Sequence, residues 1–329
     1  MLIDKNIHTV YIYCPSGYAS GGPEVLHQLG YKLKENGIKV FMVYYPKTST
    51  NPVHNNYKEY KLGWVDTAPD VKNAFVVLPE TFSDLHRGFK KSSVVIWWLS
   101  VDNYFLGSLN KFKKYVNGII KEIFDYNPRL FFDSSLLEND YYHFVQSKYA
   151  ELFLLEKGFR RDYIYTLSDY LHHNFLSHKY DNTWKKNIVV YNPSKGFRFT
   201  KKIIKENKDI TFIPLSGMTR NEVKNLLRES KLYIDFGPHP GKDRIPREAV
   251  CLGCCILVGK NGSANNRVDI NIPEEYKFDC SQKEINEISL KIRAILDNYD
   301  TCYRDFKEYI NGIEKERKKF EVDLLEILK

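Results

Sequence analysis

The stretch GPHPGKDRIPRE at positions 237–248 crowds His239, Lys242, Asp243, Arg244, Arg247 and Glu248 into ten residues. Three cations set among carboxylates and an imidazole are the groups that bind a phosphate-bearing ligand. A carboxylate can only accept hydrogen bonds, so Asp243, with His239 beside it, is placed to hold ligand hydroxyls. Glu248 has two readings: a partner for such hydroxyls, or a first-turn carboxylate that stabilises its own helix. Pro238, Pro240, Gly237 and Gly241 fix the shape of this loop, which a merely solvated charged loop does not require.

The flanking residues say what positions the loop. Leu232, Tyr233, Ile234 and Phe236 form a short apolar run that suits a buried parallel strand. Pro246 stands where a first helical residue is expected, with AVCLGCC behind it, and Ile256, Leu257 and Val258 give the next strand. Ligands of open α/β sheets bind at such places, outside the carboxyl end of a strand and at the start of a helix.

A second candidate lies near the N-terminus. A strand over 8–14 runs into PSGYASGG, a helix opening at Pro23 carries Val25, Leu26, Leu29 and Leu33 on one face, and Gly37 closes it before a strand over 38–45. Gly17, Gly21 and Gly22 let backbone N–H groups approach a ligand. The pattern is not G-x-G-x-x-G, so no dinucleotide cofactor is expected.

The apolar strand 93–101 ends at Asp102, whose carboxylate suits either a general base or a turn. Trp97 and Trp98 face opposite sides of this strand, and core packing is expected of both. His172 and His173 read as connector surface.

Elsewhere the pattern predicts an irregular segment over 47–70, a strand over 73–79, helical residues at 108–125 and a strand in LFFDSS. A linker is expected at 176–187. A second alternation then gives strands at 187–192 and 210–215 and a helix opened by Thr219 and Glu222 at capping-box spacing. Helices over 283–297 and 303–327 follow. The basic amphipathic end, 307–329, suits packing against the body of the protein or lying on an anionic membrane, and packing is preferred.

Composition is that of a globular chain, 43% hydrophobic and 27% charged, with 49 Lys and Arg against 41 Asp and Glu. The excess favours anionic partners without a basic stripe that would single out nucleic acid. The N-terminus lacks a signal-peptide pattern, and the chain reads as cytosolic. Cys251, Cys254 and Cys255 lack a second closely spaced ligand pair, so they are expected to be small buried residues, and no metal site is expected.

With two β/α halves laid out, the chain resembles the GT-B glycosyltransferases, the large retaining group that uses nucleotide-sugar donors. Gly21-Gly22-Pro23-Glu24-Val25 through Gly37-Ile38-Lys39-Val40 is similar to the family's paired glycines, helix and strand entry. Leu167-Ser168-Asp169-Tyr170 resembles its segment before the linker. Lys195-Gly196 is similar to a Lys-Gly whose lysine contacts the donor diphosphate, and 230–258 resembles the strand, ligand loop, Pro-x-x-Glu-Ala helix and strand. Three departures stand out. Of the family's glutamates eight positions apart, Glu248 fits the second, but Pro240 replaces the first. The usual arginine before Lys195 is missing, and Ser100 and Asp102 stand where a catalytic histidine is often found.

The resemblance implies an α/β GT-B fold of two Rossmann-like domains facing across a cleft. Residues 1–178 would be the acceptor domain and 179–329 the nucleotide-sugar donor domain, with the last helix crossing back. It implies metal-independent transfer of a sugar from a nucleotide-diphosphate sugar to a saccharide or lipid-linked acceptor in surface polysaccharide assembly. Gly21, Gly22, Lys195, His239, Gly241, Lys242, Asp243, Arg244 and Arg247 would serve the donor, with Asp102 and Glu248 catalytic, no separate cofactor and peripheral contact with the inner membrane face. The competing classes are a nucleotide-sugar epimerase of the same fold and a non-enzymatic binder of anions or nucleic acid.

Overall fold

Runs of β-branched and aromatic residues buried on both faces build two parallel sheets in the computed structural model, which describes residues 9–48, 51–105, 132–137, 141–176 and 185–328. The chain divides into two compact units, Met1–Asp169 with Lys318–Lys329, and Tyr170–Arg317.

The first unit holds β1 (Thr9–Pro15), β2 (Lys39–Tyr45), β3 (Gly63–Val65), β4 (Ala74–Pro79), β5 (Ser93–Trp98), β6 (Tyr142–Val145) and β7 (Ile164–Thr166), with α1 (Gly21–Glu35) and α2 (Lys148–Glu156). Its strand order is β3-β2-β1-β4-β5-β6-β7, every pairing parallel. The order reverses between β1 and β4, the place where such sheets open a crevice. Val25, Leu26, Leu29 and Leu33 of α1 are all buried, as their spacing predicts. Trp97 and Trp98 are both fully buried; Trp97 Nε1 donates to the Leu167 carbonyl (3.1 Å) and Trp98 Nε1 to His143 Nδ1 (3.1 Å). From the chain's end, Glu321 meets Lys32 at 2.7 Å.

The stretch 47–70, read as irregular, contains a 3-10 helix (Asn55–Tyr60) and the edge strand β3. Polar anchors rather than an apolar run set its shape, which is why periodicity missed it. Tyr60 donates to Glu24 Oε1 (2.6 Å), and the Tyr57 hydroxyl both accepts from Ser20 N–H and donates to its carbonyl (3.0 Å each). Tyr57 also stacks on His27, with centroids 4.2 Å apart. Burial pushes the His27 pKa down to about 4, so the ring is neutral, its Nδ1–H donating to the Pro23 carbonyl and its Nε2 accepting from Tyr44.

In the second unit stand β8 (Lys186–Tyr191), β9 (Thr211–Pro214), β10 (Ser230–Asp235), β11 (Cys255–Gly259) and β12 (Lys277–Phe278), in the order β12-β11-β10-β8-β9 and again all parallel. Its helices are α3 (His173–Leu176), α4 (Phe197–Glu206), α5 (Arg220–Glu229), α6 (Arg244–Cys251), α7 (Ile285–Asp297), α8 (Tyr299–Arg304) and α9 (Lys307–Glu314); α10 (Glu316–Leu328) ends the chain. The capping box of α5 is present, Thr219 and Glu222 bonding each other's backbone N–H. Here the strand order reverses between β8 and β10.

Several expectations need correction. α6 starts at Arg244, two residues before Pro246, with Asp243 (φ −59°, ψ 136°) as its non-helical cap. The predicted helix 303–327 is broken into shorter ones, since the chain turns at Asp305 so that Phe306 can enter the core against Tyr276, 4.7 Å between centroids. LFFDSS is not a strand over its described residues. It is a loop and a 3-10 turn (Ser134–Leu136), where Asp133 binds Arg87 and its N–H donates to Tyr104. The helical reading at 108–125, the linker core at 177–184 and the first eight residues lie outside the described residues. No helix among the described residues is long and apolar enough to cross a membrane.

One half-buried cation ties the second unit together. Lys185 Nζ donates to the carbonyls of Leu227 (3.1 Å), Ser230 (2.8 Å) and Leu252 (2.9 Å), which end α5 and α6. Helix C-termini leave carbonyls unsatisfied and carry partial negative charge, so one ammonium serves both ends. Replacing it (Lys185→Met) strands those acceptors and is expected to cost about 2–3 kcal/mol, read from urea unfolding. A loss below about 0.5 kcal/mol would show that the three bonds hold nothing.

Candidate functional site

Three loops meet at the carboxyl edge of the second sheet, beside the reversal between β8 and β10. The loop after β8 carries Asn192, Lys195 and Gly196; the loop after β10 runs from Phe236 to Asp243; and the loop after β11 contributes Gly262 and Ser263. The first two cross at their glycines. A Cβ on Gly196 would lie 2.5 Å from the Gly237 nitrogen, and one on Gly237 would lie 2.6 Å from Lys195 Cγ. The third clamps the second, because Ser263 N–H donates to the His239 carbonyl (2.9 Å) and its hydroxyl to the Gly241 carbonyl (2.6 Å).

Asp235, the last residue of β10, organises what these loops present. One carboxylate oxygen accepts from the Gly237 N–H (3.1 Å), and the other accepts from the Tyr233 hydroxyl (2.9 Å) and from Lys195 Nζ (3.0 Å). Lys195 Nζ also donates to the Pro238 carbonyl (3.1 Å) and to Asp243. Asp243 Oδ2 in turn meets His239 Nδ1 at 2.8 Å, while the other ring nitrogen faces the Asp235 carbonyl at 3.3 Å. Burial alone would lower the Lys195 pKa, but the Asp243 and Asp235 carboxylates outweigh it and the net shift is upward. Burial likewise works to raise the Asp243 pKa, yet the His239 hydrogen bond and the Lys195 charge bring it below the usual carboxylate value.

These groups border a cavity of about 240 Å³ lined by Asn192, Lys195, Asp235, Pro240, Asp243 and Arg244, with Ile245 and Pro246 from the first turn of α6. Asp235, His239 and Asp243 offer atoms within 4.8 Å of one another, close enough for a metal. The Lys195 ammonium bonds both carboxylates of this cluster.

The clustered cations of the loop divide. Arg244, whose guanidinium donates to the Tyr170 carbonyl (3.1 Å), lines the cavity. Lys242 and Arg247 converge instead on the Glu316 carboxylate at 2.8 and 2.7 Å, and Arg247 is fully buried, its Nε and Nη2 donating to the Asp243 and Lys242 carbonyls. Gly241 is buried under Ser263, and Glu248 is half-buried on α6 away from the cavity lining. Cys254 and Cys255 are core residues, and Cys254 donates to the carbonyls at the end of α5.

In the first unit, Gly21 and Gly22 are the opening residues of α1 rather than loop, so Pro23 is its third residue. Gly17, with φ 61°, makes the turn before them, and its N–H donates to the Pro52 carbonyl (2.9 Å). Asp102 lies in a helical turn over 101–105 capped by the Ser100 hydroxyl, and its carboxylate accepts from Tyr149 (3.2 Å).

Sequence reasoning missed Asp235 and Glu80. The signal for each was an acid at the carboxyl end of an apolar strand. Glu80 follows β4 beside the reversal between β1 and β4 and accepts from the Leu99 N–H (3.0 Å). Burial pushes its pKa up to about 8 against the pull of that N–H and of Ser100.

No protein-family model matches the chain, and no curated protein does. Solved structures do. The chain is similar to TarM of S. aureus (12% identity, 79% of this chain and 56% of that one, TM-score 0.55), seen in complex with fondaparinux, alpha-GlcNAc-glycerol and UDP. It is similar to HepE of Anabaena in complex with UDP (10% identity, 98% and 99%, TM-score 0.60). It is also similar to WaaG, a glycosyltransferase involved in lipopolysaccharide biosynthesis (11% identity, 95% and 98%, TM-score 0.55). This chain spans little more than half of TarM but nearly all of the other two.

Two measurements check the site. Gly262 has φ 56°, and a Cβ there would sit 2.1 Å from the His239 carbonyl oxygen. Gly262→Ala is therefore expected to lower stability by about 2 kcal/mol or more, and a wild-type melting temperature would refute the close approach. For Glu80 the folded protein keeps a proton that the unfolded chain, with the ordinary value of 4.5, has lost, so stability falls as pH rises from 4.5 to about 8. Glu80→Gln should remove that decline, worth on the order of 4 kcal/mol at most, when melting is followed at pH 5, 6.5 and 8. Parallel curves for both proteins would contradict a buried, protonated Glu80.

Two parallel sheets whose strand orders each reverse once, together with these likenesses along the whole chain, identify the fold as GT-B.

Proposed function

We propose that this protein is a glycosyltransferase that takes a sugar from a nucleoside-diphosphate donor bound in the second unit. The observation that carries the reading is the cavity at the β8/β10 reversal, because it joins the two kinds of group a sugar diphosphate needs. Arg244 and the first turn of α6, where no side chain caps the N–H groups, suit the diphosphate. Departure of a nucleoside diphosphate develops negative charge, and fixed donors aimed at it lower the barrier. Asp235 and Asp243 are acceptors for ribose or sugar hydroxyls. Of the first-unit residues, Asp102 is the group we assign to the acceptor hydroxyl, with Tyr149 fixing its carboxylate.

The nucleotide is read as a uridine diphosphate because HepE binds UDP and UDP-glucose and TarM binds UDP. A saccharide or lipid-linked acceptor in surface polysaccharide assembly is the acceptor we favour, supported by the role of WaaG in lipopolysaccharide biosynthesis. Transfer is proposed to run without a metal, the Lys195 ammonium standing among the carboxylates a metal would use.

A thermal-shift series with UDP, UDP-glucose and other nucleoside-diphosphate sugars tests this. Millimolar ligand at about 100 times Kd should stabilise by about 2.7 kcal/mol, a rise of a few degrees. The shift and any turnover should survive EDTA. No response to any nucleoside diphosphate would remove the donor site. An isomerised sugar nucleotide formed without acceptor would make the protein an epimerase.

A further inference from the structure

An ammonium group has three protons to give, and all three of Lys195 are committed inside the protein, to Asp235, Asp243 and the Pro238 carbonyl. We propose that Lys195 is a positioning residue, the internal counter-ion that holds the Asp235 and Asp243 carboxylates at the cavity wall, and that Arg244 with the first turn of α6 carries the ligand's phosphate charge. The proposal rests on the donor-site reading above and departs from the Lys-Gly resemblance, in which this lysine touches the diphosphate.

Charge counting supports the division of labour. Lys195 and Arg244 line the cavity against Asp235 and Asp243, so the charges of these four side chains sum to zero. If Lys195 turned to a phosphate, the Asp235 and Asp243 carboxylates would face a diphosphate without that counter-ion, an arrangement of like charges that a desolvated site penalises heavily. The backbone also opposes the turn. Gly237 lies against the Lys195 side chain and Gly196 against the Gly237 backbone, so the lysine is threaded through the glycine crossing toward the carboxylates. Arg244 begins α6 beside the uncapped N–H groups of its first turn and lines the cavity with them. The other two cations of the loop are engaged by Glu316, which leaves Arg244 as the loop cation at the cavity.

Charge compensation separates the two roles. UDP affinity and melting temperature are measured for the whole chain as wild type, Lys195→Met, Asp243→Asn, the double variant and Arg244→Gln. Lys195→Met leaves an unbalanced carboxylate and should lower the melting temperature and weaken UDP binding about 30-fold, while Lys195→Met/Asp243→Asn restores the balance and should recover the melting temperature, with UDP affinity within about fivefold of that of Asp243→Asn alone. Arg244→Gln should weaken UDP binding about 30-fold with the melting temperature within about 2 °C of wild type. A double variant that melts normally yet binds UDP about 30-fold more weakly than Asp243→Asn alone would overturn the proposal, because the lysine would then have been touching the ligand. If wild type binds no nucleotide, the donor-site reading fails by itself, and melting temperatures still decide the counter-ion role: recovery in the double variant supports it and no recovery overturns it. If Lys195→Met does not fold, a folded double variant is support and an unfolded one is refutation.

Discussion

The second unit is organised by a match between three donors and three acceptors around a single nitrogen. Removing a cation from water is costly, and the cost is offset only when every proton finds an acceptor and opposite charge stands close by. Asp235 supplies one partner from the end of β10, Asp243 a second from the cap of α6, and Pro238 a third from the loop between them. Because the partners come from a strand, a loop and a helix start, satisfying the lysine fixes the whole connection from β10 to α6. The imidazole of His239 and the phenol of Tyr233 complete the shell on the carboxylates.

In the first unit a polar connection is held by hydrogen-bonded rings. The segment joining β2 to β4 has little apolar surface and is tied to α1 by phenols and a neutral imidazole: Tyr57 on Ser20, Tyr60 on Glu24, and His27 between Pro23 and Tyr44. Each polar atom in this set has a partner, and stacked rings supply the packing. Glu80 is a further buried acid of this unit, a carboxyl whose pKa burial pushes up to about 8.

Much of this was legible in the sequence where pattern and physics coincide. The apolar runs gave the strands, Thr219 and Glu222 gave a helix start, and part of GPHPGKDRIPRE borders the cavity. What escaped depends on partners distant in sequence. Nothing local says that Lys242 and Arg247 answer to Glu316, about seventy positions away, while Arg244 lines the cavity. Asp235 looked like the end of an apolar strand because its importance comes from Lys195, forty residues earlier. Gly21 and Gly22 read as loop because paired glycines usually break helices, yet the helix opens on them. Phe306 ended a long predicted helix through burial against Tyr276, which no periodicity records.

The crossing of Gly196 and Gly237 constrains how this site can change over evolutionary time. With backbone against backbone and no room for a methyl group, neither loop can shift, lengthen or exchange its glycine without a matching change in the other. Drift toward a different ligand is thereby channelled away from the loop backbones and onto side chains that point into the cavity, such as Asn192, Arg244 and Ile245. An engineer seeking a new preference inherits the same division between a scaffold that must be left alone and a few positions that are open to design.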